Sequence, residues 1–215
     1  MTKKQKAIII GSILGDGFLQ KTGAKNARLR LEHSLLQKEY LLWKCQILGN
    51  YFQSKPQILE RKNPVFDKTY QYIRAQSYSG SELGIFFHLF YKNGKKIIPE
   101  KISDLLKDPL MLAVWFMDDG YYYPRDRIAY LYLPKLDQAS IDNLLNALKV
   151  NFNLSPILKI KKRGEYVLNF SVVETKKLVQ LIKLFVISSM SYKIPSESCD
   201  NSLKIPSESC NLEVS

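Results

Sequence analysis

The sequence predicts an α+β fold made of two copies of one unit of about 100 residues. The segments 9–17 (IIGSILGDG) and 112–120 (LAVWFMDDG) share one form, an apolar helical run closed by an acidic residue and a glycine. Lys96 and Lys193, which both precede an isoleucine and a nearby proline, recur at nearly the same spacing as the two acids. Helical and strand patterns also follow the same order in both halves. Together these observations indicate an internal duplication.

The first unit is predicted to contain three helices and three strands. Apolar residues at helical spacing mark the helices, and alternation of apolar with polar residues marks the strands. The helices cover residues 3–15, 36–52 and 81–91. The strands cover residues 27–34, 57–62 and 69–77. A polar loop that contains Lys96 leads to the second unit.

The second unit repeats this order. Its motif helix begins near Pro109, because proline is tolerated in a first helical turn. Two further helices are predicted at 138–152 and 175–186, the second with Thr175 as a cap. The strands are predicted at 128–133, 156–163 and 166–173, the last two joined by a turn at Gly164. The N-terminal half then covers residues 1–100, the C-terminal half 101–195, and an exposed tail 196–215. The sequence KIPSESC occurs twice near this end of the chain, at 193–199 and at 204–210.

The composition indicates a globular protein with a polyanionic partner. Hydrophobic residues make up 46% of the chain, which argues against disorder. The 32 Lys and Arg residues exceed the 20 Asp and Glu residues and give a net charge of +12, which favours nucleic acid as the partner. A basic protein without such a partner is the alternative. The three cysteines lack metal-ligand spacing and indicate a reducing compartment.

The N-terminal segment imitates a secretory signal, with lysines before an apolar run. Asp16 interrupts that run after about eight apolar or small residues, so we expect the first helix of an intracellular protein. A basic secreted protein would require processing before Asp16. No apolar stretch approaches the roughly 20 residues that cross a bilayer, so no membrane association is expected.

Asp16 and Asp119 are the candidate metal ligands. An apolar helix requires burial and a carboxylate resists it, so two such helices that pack together would hold their acids side by side. Paired carboxylates suit Mg²⁺, and Mn²⁺ is expected to substitute. Alternatively, each Asp-Gly pair marks a chain reversal. The register between the motifs aligns Asp119 with Asp16 and Asp118 with Gly15, so Asp118 and Gly15 are secondary members of the predicted site.

Basic and polar side chains in the predicted strands and turns form the candidate DNA-binding set. In the major groove, arginine reads guanine and glutamine reads adenine, whereas lysine more often holds phosphates. A solvated sheet face is the alternative. The set comprises Arg28, Arg30, Glu32, Lys62, Tyr72, Arg74, Gln76, Arg125, Arg127, Lys159, Lys161 and Arg163. His33 and His88 are single and unpaired in the sequence, and we expect structural roles for both.

Three segments carry a family resemblance: 95–102 (KKIIPEKI), 108–120 (DPLMLAVWFMDDG) and 189–195 (SMSYKIP). In order and spacing they resemble the two-motif LAGLIDADG homing endonucleases, in the branch typified by the omega-intron enzyme of yeast mitochondria. The resemblance implies two αββαββα halves related by a pseudo-twofold axis. It also implies that the motif helices form the central interface and that each half lays a curved antiparallel sheet on the DNA major groove.

The resemblance also implies an activity. The last acid of each motif binds a divalent metal, which assigns that role to Asp16 and Asp119. One lysine from each half lies near the cleavage centre, which assigns Lys96 and Lys193 to catalysis. The implied protein is a monomer that cuts both strands of a long asymmetric DNA site and promotes mobility of the intron that encodes it. A mitochondrial or chloroplast location follows if that intron is organellar.

The sequence departs from the family pattern at two places. Val114 stands where relatives have a glycine, which predicts a wider separation of the motif helices. Leu133-Pro134 stands where relatives often carry Thr-Gln, which predicts altered water positions or DNA contacts at the second site. An RNA maturase with intron RNA as its partner, or a cleavage-inactive DNA-binding relative, is therefore the alternative function.

Overall fold

The chain folds into two αββαββα units, which confirms the predicted duplication and fold class. This computed structural model describes residues 1–52, 54–63, 65, 67–161 and 166–196. The first unit contains α1 (Lys3–Leu14), β1 (Phe18–Lys21), β2 (Ala27–Ser34), α2 (Lys38–Leu48), β3 (Gln57–Asn63), β4 (Lys68–Gln76) and α3 (Ser81–Phe90). The connection contains β5 (Tyr91–Lys92), β6 (Lys95–Lys96) and α4 (Ile102–Leu105). The second unit contains α5 (Pro109–Asp119), β7 (Gly120–Tyr123), β8 (Ile128–Leu133), α6 (Gln138–Phe152), β9 (Ile157–Ile160), β10 (Tyr166–Phe170) and α7 (Val172–Ile182).

Each unit contains one four-stranded antiparallel sheet. The strand orders are β1-β2-β4-β3 and β7-β8-β10-β9, so the two sheets have the same topology. In β2, Leu29 and Leu31 are buried against the helices, whereas Arg28 and Arg30 lie on the opposite face. This alternation follows from the two-residue period of a strand. Each sheet therefore has a core face and a second face, which we call the open face.

Helices α1 and α5 form the centre of the molecule. Every residue from Ala7 to Leu14 and from Leu110 to Met117 is buried, because these helices contact each other and are covered by the two sheets and outer helices. A helix that is apolar on all sides is stable only in such a setting. The packing confirms the prediction that the two motif helices meet.

The helices approach closely at Gly11, although Val114 was expected to separate them. A Cβ atom at Gly11 would lie 2.7 Å from the Cβ of Val114 and 2.6 Å from the carbonyl oxygen of Met111. Gly11 and Val114 occupy the same position in the two motifs, so each faces its counterpart. The glycine on one helix therefore makes room for the valine on the other, and the expected wider separation is wrong.

Helix α7 begins earlier than predicted. Ser171 is its N-cap, and its hydroxyl accepts a hydrogen bond from the amide of Glu174 at 3.3 Å. Thr175 lies inside the helix, where its buried hydroxyl accepts from the amide of Ala129 and donates to the carbonyl of Phe170. The predicted cap at Thr175 is wrong because Ser-x-x-Glu, a known helix-start pattern, precedes it.

Other differences are local. The predicted loop around Lys96 contains the hairpin β5–β6, and the short strand β1 was not predicted. Residues 36–52 form α2 between two turns of 3₁₀ helix rather than one continuous helix. Arg163, Gly164 and the tail from residue 197 lie outside the described residues. No helix within the described ranges combines the length and hydropathy needed to span a membrane.

Candidate active site and nucleic-acid interface

Asp16 and Asp119 lie at the matching ends of α1 and α5. In each motif the chain turns directly from the helix into the first strand of a sheet, and the glycine after the acid makes that turn possible. A Cβ atom at Gly17 would lie 2.6 Å from the carbonyl oxygen of Ser12, and one at Gly120 would lie 2.3 Å from that of Phe116. The Asp-Gly pairs are therefore turn residues as well as candidate ligands, because the same turn presents the acid.

Lys96 and Lys193 bind equivalent carbonyl groups beside the two acids. The ammonium of Lys96 donates to the carbonyl oxygens of Gly15 at 2.9 Å and Gly17 at 3.1 Å. The ammonium of Lys193 donates to the carbonyl oxygen of Asp118 at 2.9 Å. Gly15 and Asp118 occupy the same motif position, so the arrangement occurs twice. The structure thus brings together all the residues for which the sequence predicted catalytic or metal-binding roles.

The environment of the site shifts the pKa values of its acids and lysines. Burial first, and then the charges of the neighbouring Asp16 and Asp118, raise the pKa of Asp119 to about 7. Partial burial, followed by the charge of Asp118, raises the pKa of Asp16. Burial lowers the pKa values of Lys96 and Lys193, while the acids oppose that change. Clustered carboxylates with raised pKa values are a chemical environment that suits a cation.

Asp118 differs from its counterpart Gly15 because its carboxylate is buried in an ion pair. Its Oδ1 atom lies 2.7 Å from the ammonium of Lys44, and both side chains are fully buried. Its Oδ2 atom accepts a hydrogen bond of 3.2 Å from the amide of Asp16. A Cβ atom at Gly15 would lie 2.5 Å from that of Asp118. The missing side chain at Gly15 therefore leaves the space in which the Asp118 carboxylate reaches the N-terminal half.

His33 adjoins the same cluster, although only a structural role was expected for it. Its Nε2 atom lies 3.2 Å from the Lys44 ammonium, which can only donate, so Nε2 accepts and the ring proton is on Nδ1. Nδ1 lies 3.8 Å from a carboxylate oxygen of Asp16. Burial and the charge of Lys44 lower the pKa of His33 to about 3, so the ring is neutral at pH 7. Asp16, His33 and Asp118 each offer one potential metal-ligand atom, and these three atoms lie within 4.8 Å of one another.

Lys44 was not found from the sequence. It lies on the buried side of α2 with Tyr40, Leu41 and Leu48. A lysine within an apolar stripe at helical spacing is unusual, and this was the signal that could have revealed it. Its partner Asp118 is 74 residues away, and no local pattern predicts that contact.

A cleft of about 370 Å³ opens beside the acids of the second motif. It is lined by Asp118, Asp119, Gly120, Tyr121, Tyr132 and Lys193. Tyr121 and Tyr132 lie on strands β7 and β8, which joins this cleft to the sheet of the C-terminal half.

The N-terminal open face carries most of the predicted DNA-binding residues of its half. These are Arg28, Arg30, Glu32, Tyr72, Arg74 and Gln76 on the adjacent strands β2 and β4. Arg74 donates its Nε–H to Glu32 at 2.7 Å, and Arg30 donates to Gln20 at 3.3 Å. A second cavity, of about 480 Å³, is lined in part by Arg28, Arg74 and Gln76. Partners within the face thus hold Arg30 and Arg74 in position.

Lys62 is misplaced in the predicted set, because it alternates away from this face. The register pairs Gln57 with Arg74 and Lys62 with Thr69, so residue 61 shares the face of Arg74 and residue 62 does not. Arg61 donates to Glu32 at 3.3 Å and lies over the ring of Tyr72 at 4.9 Å. A shift of one residue along a strand changes the face, and the sequence alone did not fix which residue of the Arg-Lys pair was outward.

The C-terminal members of the predicted set lie at two places. Arg125 and Arg127 are exposed in the turn between β7 and β8. Lys159 lies on β9, and Lys161 follows that strand with its ammonium 4.2 Å from the centre of the Tyr132 ring, to whose hydroxyl it donates a hydrogen bond. Two cationic groups therefore lie along the outer strand of the second sheet.

The fold and the site define a class of protein in which two related halves bring paired acids and lysines to the junction of two antiparallel sheets. Residues 6–178 match the LAGLIDADG DNA endonuclease family, and the chain belongs to this family. The resemblance seen in the sequence is thereby confirmed.

Individual relatives agree with this membership. The Probable intron-encoded endonuclease 1 of Wickerhamomyces canadensis is 26% identical to this chain over 90% of this chain and 85% of that protein. The solved structure of the homing endonuclease I-WcaI bound to its DNA recognition sequence is 26% identical, with a TM-score of 0.82, and the match covers 90% of this chain and 87% of that chain. The Cytochrome b mRNA maturase bI2 of Debaryomyces hansenii is also 26% identical, over 90% of this chain and 74% of that protein.

Proposed function

We propose that this protein is a site-specific homing endonuclease that hydrolyses both strands of a long, asymmetric DNA target and promotes mobility of an intron. The observation that carries the proposal is the duplicated arrangement of an acid and a lysine at the junction of the two sheets. Similarity to an intron-encoded endonuclease and to a homing endonuclease bound to DNA supports it. A single chain contains both halves of the catalytic centre and both sheets, so a monomer suffices.

The donor set suits a hard divalent cation, with Mg²⁺ as the expected cofactor and Mn²⁺ as a substitute. Asp16 and Asp119 would supply carboxylate oxygens. Gly15 and Asp118 would contribute through their carbonyl oxygens, each of which keeps a second lone pair beside its lysine bond. A bound cation would offset the charge that develops on a phosphodiester during attack by water and would lower the pKa of a bound water.

The side chains of the protein position and polarise the DNA. Lys96 and Lys193 lie beside the acids, where an ammonium can stabilise negative charge on a phosphate or orient a water. Basic side chains of the open faces hold phosphates and contact base edges. The side chain of Asp118 stays in its ion pair with Lys44 and supports the end of α1 through its bond to the amide of Asp16.

Cutting of DNA that spans the ligated exons of the host gene tests this function. We expect a mapped double-strand break when magnesium is present and none in its absence. Salt-dependent binding to intron RNA without nicking in Mg²⁺ or Mn²⁺ would instead support the maturase alternative, which the similarity to a cytochrome b mRNA maturase favours. A mitochondrial or chloroplast location stays a prediction that depends on the host gene.

Affinity for the divalent cation is expected to depend on pH through Asp119. Its pKa of about 7 in the metal-free protein means that the cation must displace a proton below that pH. The apparent affinity should therefore fall by up to about tenfold per pH unit below pH 7 and level off above it. Calorimetry in buffers of different ionisation enthalpy measures both the affinity and the protons released. Equal affinity and no proton release below pH 7 would contradict the prediction, and Asp104→Asn, at an exposed position on α4, is the control.

A further inference from the structure

The strand registers define which residues of the two open faces are equivalent. Phe18 and Tyr121 each follow the motif glycine by one residue, and they pair with Arg30 and Tyr130 respectively. Arg30 is therefore the counterpart of Tyr130. The same reasoning along β2 and β8, and across to β4 and β10, matches every position of the two central strand pairs.

The chemistry of equivalent positions differs between the halves. Three arginines of the N-terminal open face correspond to an aliphatic residue, a tyrosine and an aliphatic residue of the C-terminal open face. The pairs are Arg28 with Ile128, Arg30 with Tyr130, and Arg74 with Val167. Glu32 likewise corresponds to Tyr132. Gln76 corresponds to Asn169, so both faces keep one amide at that position. The N-terminal face thus adds guanidinium groups with several donors, whereas the C-terminal face adds aromatic rings and aliphatic groups.

The arginines of the first face are prepared to donate. Glu32 holds the Nε–H of Arg74, and Gln20 accepts from Arg30, so two guanidinium planes are fixed before DNA binds. The Nε atoms of Arg28 and Arg30 are buried and have no hydrogen-bond partner among the described residues. A buried donor without a partner is unfavourable, so an acceptor from a ligand at this face would be favoured. A guanine edge presents two acceptors that match an arginine fork.

Among the described residues, the central strands β8 and β10 of the second face carry no arginine, and their one amide on this face is Asn169, which pairs with Tyr130. The Oδ1 atom of Asn169 is buried without a hydrogen-bond partner in the described part of the chain, so this position is the one place on that face where we expect a specific base contact. Val167 is fully buried, and the Lys161 ammonium lies over the rings of Tyr130 and Tyr132 while it donates to the hydroxyl of Tyr132. Aromatic rings and aliphatic groups contact thymine methyl groups, and such a contact discriminates weakly because one methyl group is worth roughly fourfold in affinity. Lysines such as Lys159 hold phosphates without reading sequence.

We propose that the two half-sites of the DNA target are read with unequal stringency. Arginine contacts to guanine make the half-site under the N-terminal open face strongly discriminated, and the tyrosine-rich C-terminal open face tolerates most base changes in the other half-site. This inference rests on the proposed function, because it assumes that the open faces lie on DNA.

Selection of bound duplexes from a library with a randomised target tests the inference. The Asp16→Asn/Asp119→Asn variant binds the library, so that cutting does not remove the selected duplexes, and sequencing gives the preference at each base pair. In one half-site we expect two or three positions, mainly G·C pairs, where a wrong base lowers binding about 5- to 150-fold. In the other we expect losses of less than about fivefold, except at the position under Asn169.

Exchanged residues identify which half-site lies under which face. Arg30→Tyr should remove the preference at one or two adjacent positions of the stringent half-site, and Tyr130→Arg should create a new preference in the tolerant one. Lys159→Ala is the matched control, because loss of a phosphate contact should weaken binding to all sequences equally and reduce its salt dependence.

Three results would overturn the inference. The first is equal stringency in the two half-sites, and the second is loss of preference in the tolerant half-site when Arg30 is changed. Either of these two results would leave the proposed endonuclease function intact. Enrichment of no sequence at all would overturn the proposed function, and the inference with it.

Discussion

We expect Asp16→Asn and Asp119→Asn each to abolish double-strand cutting, with a rate loss of at least about 10³-fold, while DNA binding survives. The amide keeps the size of the side chain but removes the negative charge that would hold a cation at the end of its motif helix. Each half contributes one of these acids, so loss of either impairs the shared centre. Rates from a plasmid that carries the target, and binding by gel shift, measure the two effects separately.

The control for these variants is a carboxylate outside the site. Asp104→Asn removes one negative charge from the exposed helix α4, where Asp104 lies 3.7 Å from Lys107, and should cut at the rate of the unchanged protein. If both single variants at Asp16 and Asp119 continue to cut both strands, the assignment of the motif acids is incorrect.

We expect Lys44→Met to lower the free energy of unfolding by about 3–5 kcal/mol at pH 7. The substitution keeps most of the apolar length of the side chain but leaves the carboxylate of Asp118 buried without its cation, which lies 2.7 Å away in the intact protein. Desolvation of an unpaired charge accounts for most of the loss. Urea unfolding monitored by tryptophan fluorescence, with Trp115 in α5 as an internal reporter, gives the value.

A double variant separates the ion pair from general damage to packing. The buried positions 40, 41, 44 and 48 of α2 match 140, 141, 144 and 148 of α6, so Leu144 is the counterpart of Lys44. Lys44→Leu with Asp118→Ala removes both charges and gives position 44 the residue of that counterpart, so we expect it to recover most of the lost stability. Lys38→Met, at an exposed position of the same helix, should change stability by less than about 0.5 kcal/mol. Equal losses in the single and double variants would show that the ion pair itself is unimportant.

The ion pair also makes the two halves inequivalent at their junction. The polar residues His33 and Lys44 of the N-terminal half correspond to Leu133 and Leu144 of the C-terminal half. The carboxylate of Asp118 extends from the C-terminal half to Lys44 and Asp16 of the N-terminal half. The duplicated acids and lysines keep the symmetry, whereas this cluster breaks it. If the Lys44→Leu/Asp118→Ala variant folds normally but cuts one DNA strand faster than the other, the asymmetry has a functional role.

Several elements were predicted correctly because their signals are local. The strands 27–34 and 128–133 and the helix 138–152 have the predicted limits, since alternation and helical spacing are read directly from neighbouring residues. Helix α5 begins at Pro109 as expected. The Ser-x-x-Glu pattern at residues 171–174 is an equally local signal, and it marks the observed start of α7 more accurately than Thr175 does.

The amino-acid sequence by itself determined the duplication, the order of most helices and strands, and the recurrence of one acid and one lysine in each half. These follow from periodicity and from repeated spacing along the chain. Only the tertiary structure decided that Lys44 and His33 belong to the site, that Asp118 is paired across the helix interface, and that Arg61 rather than Lys62 shares the face of Arg74. Those facts depend on contacts between residues far apart in the chain and on the exact register of strands, and a buried charge reveals its partner only when the two surfaces that enclose it are packed together.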